Sequence, residues 1–538
     1  MILSISMFAT RILGILYVVP FHRLVGEAGL ALYMYAYGPY SLFISLSTLG
    51  IPLGIAKFIS KYNADGEYDT SRKIFRYGMI FMFVLGLLGF TVLYMLAPWY
   101  ASRVLAGQEE LYNTHEQVVA AIRTVSLALI IVPPMSIFRG FFQGNQNMTP
   151  TAISQFVEQL VRILLIIIGS FVILQWFEGT TQEAVSFAVL SAFLSGIVAF
   201  AILYGYWRKQ RRRYNALLAR STTHEERPTG QLFKELLSYA LPFALLGLIT
   251  NLFQMIDSLT FNQYMIHGAE VEGVLSDQLF GVFTTSLLKI VMIPVSFAMA
   301  FSQPLIPEIT KHMRNRNGVE VRRTIVLAIK LTLLIALPTV IGMSMMSNSL
   351  FISFFNSGVE GMNEMGGAMF RTGAFLGLFM AVNTILSTIL QGIGAQMKGI
   401  LFLSIGLVIK YVGNVLLIPI MEVDGAILAS LIAYAFCMIM NLLEIKKRTG
   451  LKVRLIAKRT FPILFFTAIM AIVVYLSRSI TGIFISYEST RGQATMYLLI
   501  AGIIGAIVYF GLAIYFDLLE SIFGSKLSFK RLKSRFRR

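Results

Sequence analysis

The chain has 538 residues, 56% of them hydrophobic and 13% charged, and its mean hydropathy is +0.73. Soluble domains run near a quarter charged, so this composition excludes a soluble globular enzyme or binding module. The formal net charge of +18 does not point to nucleic acid, because the basic residues sit in short segments between apolar blocks, where membrane orientation accounts for them.

The apolar blocks are about 20 residues long, enough to cross a hydrocarbon core of ~30 Å. In chain order they predict fourteen spans, near 3–21, 30–56, 77–98, 118–142, 151–175, 184–207, 236–264, 279–303, 321–346, 367–391, 399–420, 424–445, 460–477 and 493–516. The fold class is therefore an all-α polytopic membrane protein. The first block carries Arg11 at its centre and no small-residue cleavage site, which reads as a retained span rather than a signal peptide. With the N-terminus inside, 34 of the 45 Lys and Arg fall on the inner side and 5 on the outer. That asymmetry predicts cytoplasmic placement of both termini.

The second half repeats part of the first. A shift of 248 residues puts Arg123-Thr124 on Arg371-Thr372, Gln143-Gly144 on Gln391-Gly392 and Arg162 on Lys410. Chance explains apolar matches well, but charged residues are scarce in membrane spans and their alignment calls for descent from one unit. Six spans per repeat give both halves the same orientation, an arrangement that places substrate sites between the repeats. The expected organisation is an N-lobe (1–207), a basic linker (208–235), a C-lobe (236–445), two additional spans within 446–516 and a basic tail (517–538).

Ionisable groups at membrane depth cost about 2.5–3.5 kcal/mol each on insertion scales, so they face water, pair, or reach an interface. The candidates are Arg11, Arg123, Arg139, Glu158, Arg162, Asp257, Lys289, Lys330, Arg371 and Lys410. Most are cationic, and a cavity lined with cations attracts an anion such as a phosphate or pyrophosphate. Arg11 has apolar sequence on both sides; it reads as an anion contact or as one half of an ion pair. Lys289, five residues before Pro294, reads as an anion contact or as a snorkelling residue. Glu158 and Arg162 are four apart on one helix face, which favours an internal pair. Arg123 and Arg371 fall at span ends and suit the interface. Gly140 and Gly144 flank the RGFFQG segment that begins at Arg139 and favour close helix packing, as do Gly50 with Gly54 and Gly373 with Gly377. Asp257 could neutralise Lys410, which lies one turn from Asn414, or could couple transport to protons or sodium. Prolines at 39, 52, 133, 134, 242, 294, 304 and 338 mark bends.

There is no Gly-rich phosphate loop ending in Lys-Ser/Thr, and Val119 stands where a zinc motif starting at His115-Glu116 would need its second His. Five His and the lone Cys437 leave little for a metal site and no disulfide. No enzyme, metal or cofactor is expected. An ion gradient, the membrane potential or the substrate gradient would supply energy.

With these residues in hand, the chain resembles the multidrug/oligosaccharidyl-lipid/polysaccharide exporter superfamily. Within it the chain is similar to the MurJ-type lipid II flippases, especially their Gram-positive YtgP-like branch, and to stage V sporulation protein B. The resemblance covers nearly the whole chain. It rests on Thr10-Arg11-Ile12-Leu13-Gly14, Lys57-Phe58-Ile59-Ser60-Lys61-Tyr62-Asn63, Arg139-Gly140-Phe141-Phe142-Gln143-Gly144, Gln155-Phe156-Val157-Glu158-Gln159-Leu160-Val161-Arg162, Val291-Met292-Ile293-Pro294-Val295-Ser296 and Asp424-Gly425-Ala426-Ile427-Leu428-Ala429.

The resemblance implies two six-helix lobes around a cationic cavity, and a groove at spans 13–14 for a polyprenyl tail. It implies a multi-pass protein of the bacterial cytoplasmic membrane, acting as a monomer on an undecaprenyl-linked lipid, alongside the cell-wall synthesis machinery. Arg11 and Lys289 match basic positions of the family and, with Arg139 and Arg162, form the expected headgroup set; Glu158, Asp257, Lys410 and Asn414 are the expected supporting or coupling groups. The chain departs from Gram-negative members at Tyr17, Phe43 and Met292, where they carry a basic, a basic and an acidic residue. Where some members hold sodium between spans 7 and 11, Lys410 supplies a built-in cation. Lipid II flipping is the leading expectation. Flipping of another undecaprenyl-linked glycan is the alternative, and cation-coupled drug export ranks third because the candidate lining is basic.

Overall fold

The structure is a computed structural model; it describes residues 10, 13–48, 50–106, 111–219, 221, 228–484 and 490–518. Arg11 lies outside the described residues, as does the tail from residue 519. Among the described residues every regular element is helical. Twelve helical stretches are long and apolar enough to cross a membrane. Two of them each contain a break: Gly26 has φ 67° within Val18–Thr48, and Glu422 has φ 51° within Gln396–Thr449. Each break falls in a gap between predicted spans, and of predicted span 1 only residues 10 and 13–21 are described.

The chain forms two compact units, Met1–Thr285 and Ser286–Arg538. In the first, α1 (Val18–Thr48) is followed by α2 (Ile51–Ala64), α3 (Tyr68–Val104), α4 (His115–Ser126), α5 (Ala128–Gly144), α6 (Thr149–Leu164), α7 (Ser170–Gln175), α8 (Thr181–Leu218), α9 (Thr229–His267) and α10 (Gly273–Gly281). A π-helical turn, Leu165–Gly169, joins α6 to α7. Helices α9 and α10 pack on α1, and α9 also on α2. The compact division falls within the second π-helical turn, Val282–Leu287.

Helix α3 shows how the sequence distinguishes lipid from protein. Ile80, Val84, Leu87, Leu88 and Met95 are exposed along one stripe. Gly78, Met82, Gly86, Gly89, Leu93 and Ala97 are buried along the other. With no hydrophobic driving force between helices in lipid, small residues allow the close packing that holds the bundle. A Cβ on Gly86 would stand 2.4 Å from the Leu129 carbonyl oxygen, and one on Gly140 would stand 2.8 Å from that of Pro52. The close approach expected of Gly140 and Gly144 is thus made between α5 and α2.

The second unit contains α11 (Leu288–Arg314), α12 (Gly318–Met345), α13 (Ser347–Phe355), α14 (Met362–Gly392), α15 (Gln396–Thr449), α16 (Val453–Phe484) and α17 (Arg491–Tyr515). One apolar core joins α11, α12, α14 and the end of α15 around Val295, Ile325, Ile385 and Ile389. Another gathers Leu334, Ile463, Met470, Tyr497 and Tyr509 from α12, α16 and α17. Helix α13 has no counterpart among the predicted spans; at 9 residues it is too short to cross.

Candidate functional site

The first unit encloses a three-residue charge network. Arg139 projects from α5, and Glu158 and Arg162 from α6. Arg139 Nη2 donates to Glu158 Oε2 at 2.6 Å, and Arg162 Nη2 to Glu158 Oε1 at 2.6 Å. The Nε donors are used too: Arg139 Nε reaches Ser154 Oγ at 3.4 Å and Arg162 Nε reaches Ser195 Oγ at 3.3 Å. Side-chain exposures are only 12–16%. The four-residue spacing of Glu158 and Arg162 gives the pair expected from sequence, but Arg139 joins it. Desolvating one carboxylate against two guanidiniums leaves a net positive charge in the helix bundle, and each partner is held by hydrogen bonds that such burial requires.

Aromatic hydroxyls stand beside this charge. Arg162 lies in electrostatic reach of Tyr33, Tyr37 and Tyr40. Tyr33 and Tyr37 stack with centroids 5.5 Å apart, and Tyr17 donates to the Tyr33 hydroxyl at 3.4 Å. Gly14 packs on Gln159, whose amide nitrogen would be 3.2 Å from a Cβ at that position. Arg11, three positions earlier, is outside the described residues.

The other expected residues are distributed over both units. Asp257, 4% exposed, belongs to α9 in the first. Lys289 is half-buried at the start of α11 in the second. Lys410 and Asn414 are buried on α15, and Lys410 Nζ donates to Ser430 Oγ at 2.5 Å. Arg123 stacks on Tyr94, 4.6 Å from its ring centroid, and Arg371 is exposed.

A second polar cluster was not visible from sequence. Asp277 is fully buried. Its carboxylate accepts from the Tyr35 hydroxyl at 2.5 Å, and from the backbone and side-chain nitrogens of Asn113 at 3.1 and 2.5 Å. Asn262 donates to Tyr35 at 2.6 Å and to the Val104 carbonyl at 3.0 Å, and accepts from Ser276 at 2.9 Å. The network ties α1, α3, α9 and α10 at the helix ends away from the basic segments. Asp277 lies two residues before the predicted start of span 8 and so read as a loop residue. The signal that could have found it is its setting, between Val274-Leu275 and Leu279-Phe280.

In the second unit α12, α16 and α17 border an apolar groove of about 790 Å³, lined by Leu334, Pro338, Met470, Gly502, Gly505 and Tyr509 among others. The Tyr509 hydroxyl is satisfied by the Leu334 carbonyl at 2.8 Å, so the lining presents no open polar group there.

Comparison with known proteins assigns the scaffold. Residues 1–313 match the family described as polysaccharide biosynthesis protein. The chain is 37% identical to the lipid II flippase MurJ of Bacillus subtilis (strain 168) over 98% of its own length and 96% of that protein's. It is 26% identical to stage V sporulation protein B of the same organism, over 62% of each chain. Among solved structures, the inward closed conformation of lipid II flippase MurJ superposes with a TM-score of 0.68 at 15% identity, covering 96% of this chain and 99% of that one. An inward-facing multidrug resistance MATE family transporter of the MOP superfamily gives a TM-score of 0.67 at 14% identity, with coverages of 83% and 98%. This multi-span helical membrane protein is a member of the polysaccharide biosynthesis protein family and, within it, of the MurJ group.

Proposed function

We propose that the chain is a flippase that carries lipid II from the inner to the outer leaflet of a bacterial cytoplasmic membrane, with both termini in the cytoplasm. The observation that carries this reading is the 37% identity to a lipid II flippase along 98% of the chain. The geometry supports it. The Arg139–Glu158–Arg162 network keeps a net cation inside the bundle, which suits a pyrophosphate better than a cationic drug. Guanidinium forks match phosphate oxygens in geometry as well as charge.

In this reading Arg11, Lys289, Arg139 and Arg162 receive the pyrophosphate as the headgroup crosses. Glu158 holds the two arginines in position. The polyprenyl tail stays in the apolar groove of α12, α16 and α17, so only the polar end leaves the lipid. The two six-span repeats alternate access, and spans 13–14 serve the tail. Asp257 and Lys410 serve as supporting or coupling charges, and a proton or ion gradient or the membrane potential drives release. The chain acts as a monomer, without a cofactor, next to the cell-wall synthesis machinery.

The test is depletion complementation. Cells lacking their own lipid II flippase should grow when this chain is expressed, and Arg11→Ala or Arg162→Gln at equal membrane abundance should abolish growth. Failure of the wild-type chain to rescue, with normal membrane abundance, would favour a different undecaprenyl-linked glycan.

A further inference from the structure

Helix α8 is 38 residues long, about 57 Å at 1.5 Å per residue, and outlasts a hydrocarbon core of ~30 Å. Its last turns fold over the corner between α2 and α3. Ser221, just past the helix, donates to the Gly66 carbonyl at 3.3 Å and accepts from the Asp69 backbone N–H at 3.5 Å. Between this overhang and the bundle lies an open cavity bordered by α2, α3, α5 and α8.

The cavity has an aromatic floor and a cationic rim. Phe75 packs 4.5 Å from Phe141 and stacks on Trp207 at 6.5 Å. Since these rings are committed to one another, the floor is apolar but offers no slot for a flat base. Arg72 and Arg211 stand at the rim. Arg72 donates to the Asn215 side-chain oxygen at 2.9 Å, and Arg211 lies 5.8 Å over the Trp207 ring. Neither makes an ion pair among the described residues. Glu67 and Asp69, on the neighbouring turn, are not part of the lining. Two guanidiniums without a carboxylate, over an apolar floor, are placed where the exposed apolar stripe of α3 gives way to basic sequence. Basic pockets between helices at that level hold anionic headgroups.

We propose that this cavity is a binding site for the phosphate headgroup of an anionic phospholipid of the surrounding leaflet. The guanidiniums take the phosphodiester, Asn63 and Asn215 face the glycerol hydroxyls, and the acyl chains leave along the lipid-facing side of α3. The inference requires only that the chain spans a membrane; it is independent of which lipid is transported.

Native mass spectrometry of the full chain, titrated with phosphatidylglycerol or phosphatidylcholine, tests it. The wild-type chain should retain one phosphatidylglycerol selectively. Arg72→Gln with Arg211→Gln should weaken that retention about thirtyfold, from roughly fivefold per lost cation at a lipid surface. Arg208→Gln with Arg212→Gln removes two cations of α8 that lie outside the lining and should weaken the selective retention far less. Arg72→Lys with Arg211→Lys should restore most of it, and an unfolding midpoint of the Gln pair equal to that of the wild type shows that lost retention is not lost fold. Equal retention by the lining and control pairs would overturn the proposal. So would equal retention of phosphatidylcholine.

Discussion

Among the described residues, Arg139 and Arg162 share Glu158 as their counter-charge, at 2.6 Å each. Replacing it by Gln leaves both guanidiniums inside the bundle without a counter-charge. Breaking a buried ion pair from one side costs about 3–5 kcal/mol, so Glu158→Gln should lower the thermal unfolding midpoint of the purified protein sharply. Adding Arg139→Gln should recover part of that loss, since the remaining charge falls; a further drop would show that Glu158 and Arg139 stabilise the bundle independently. Asp277 is the comparable residue at the opposite helix ends. Asp277→Asn replaces an acceptor of three hydrogen bonds by a group with only one acceptor atom, and an unmatched buried polar group costs about 1–3 kcal/mol. Hydrogen exchange along Gly273–Gly281 should accelerate in that variant, and unchanged protection would mean that the apolar packing of α10 suffices to hold it.

At the level of helices, the small-residue faces and the groove give two more expectations. Gly86→Leu forces a side chain toward the Leu129 carbonyl on α5. Overpacking costs about 1–3 kcal/mol in a well-packed site, and should appear as a lowered unfolding midpoint, whereas Leu88→Ala on the exposed stripe should not. Gly502 borders the apolar groove, where a Cβ would meet nothing within 4 Å. Gly502→Phe fills space proposed for the polyprenyl tail and should reduce complementation while leaving the midpoint nearly unchanged; full growth would remove the groove from the transport route.

The helices were the most legible part of the sequence, since crossing a hydrocarbon core imposes both length and composition. The breaks at Gly26 and Glu422 were legible as well, since each falls in a gap between predicted spans, 22–29 and 421–423, where charged residues interrupt the apolar run. Among candidate site residues, the Glu158–Arg162 contact follows from helix spacing alone, but the third partner Arg139 comes from another helix and needed tertiary packing to be seen. Asp277 escaped because its partners are 164 and 242 residues away. Helix α13 escaped because a short buried helix beside longer spans has no hydropathic signature.

For the whole molecule, the useful feature is a negative one. The single cysteine, Cys437, is wholly buried on α15 and its sulfur contacts the Phe402 carbonyl at 3.4 Å. Thiol reactivity demands an accessible thiolate, so the native protein should resist maleimide and take up one label only after denaturation. The natural sequence is then already a silent background for chemical reporting. A cysteine placed at any chosen position would speak alone, and the two faces of the membrane could be interrogated in turn without first dismantling the protein.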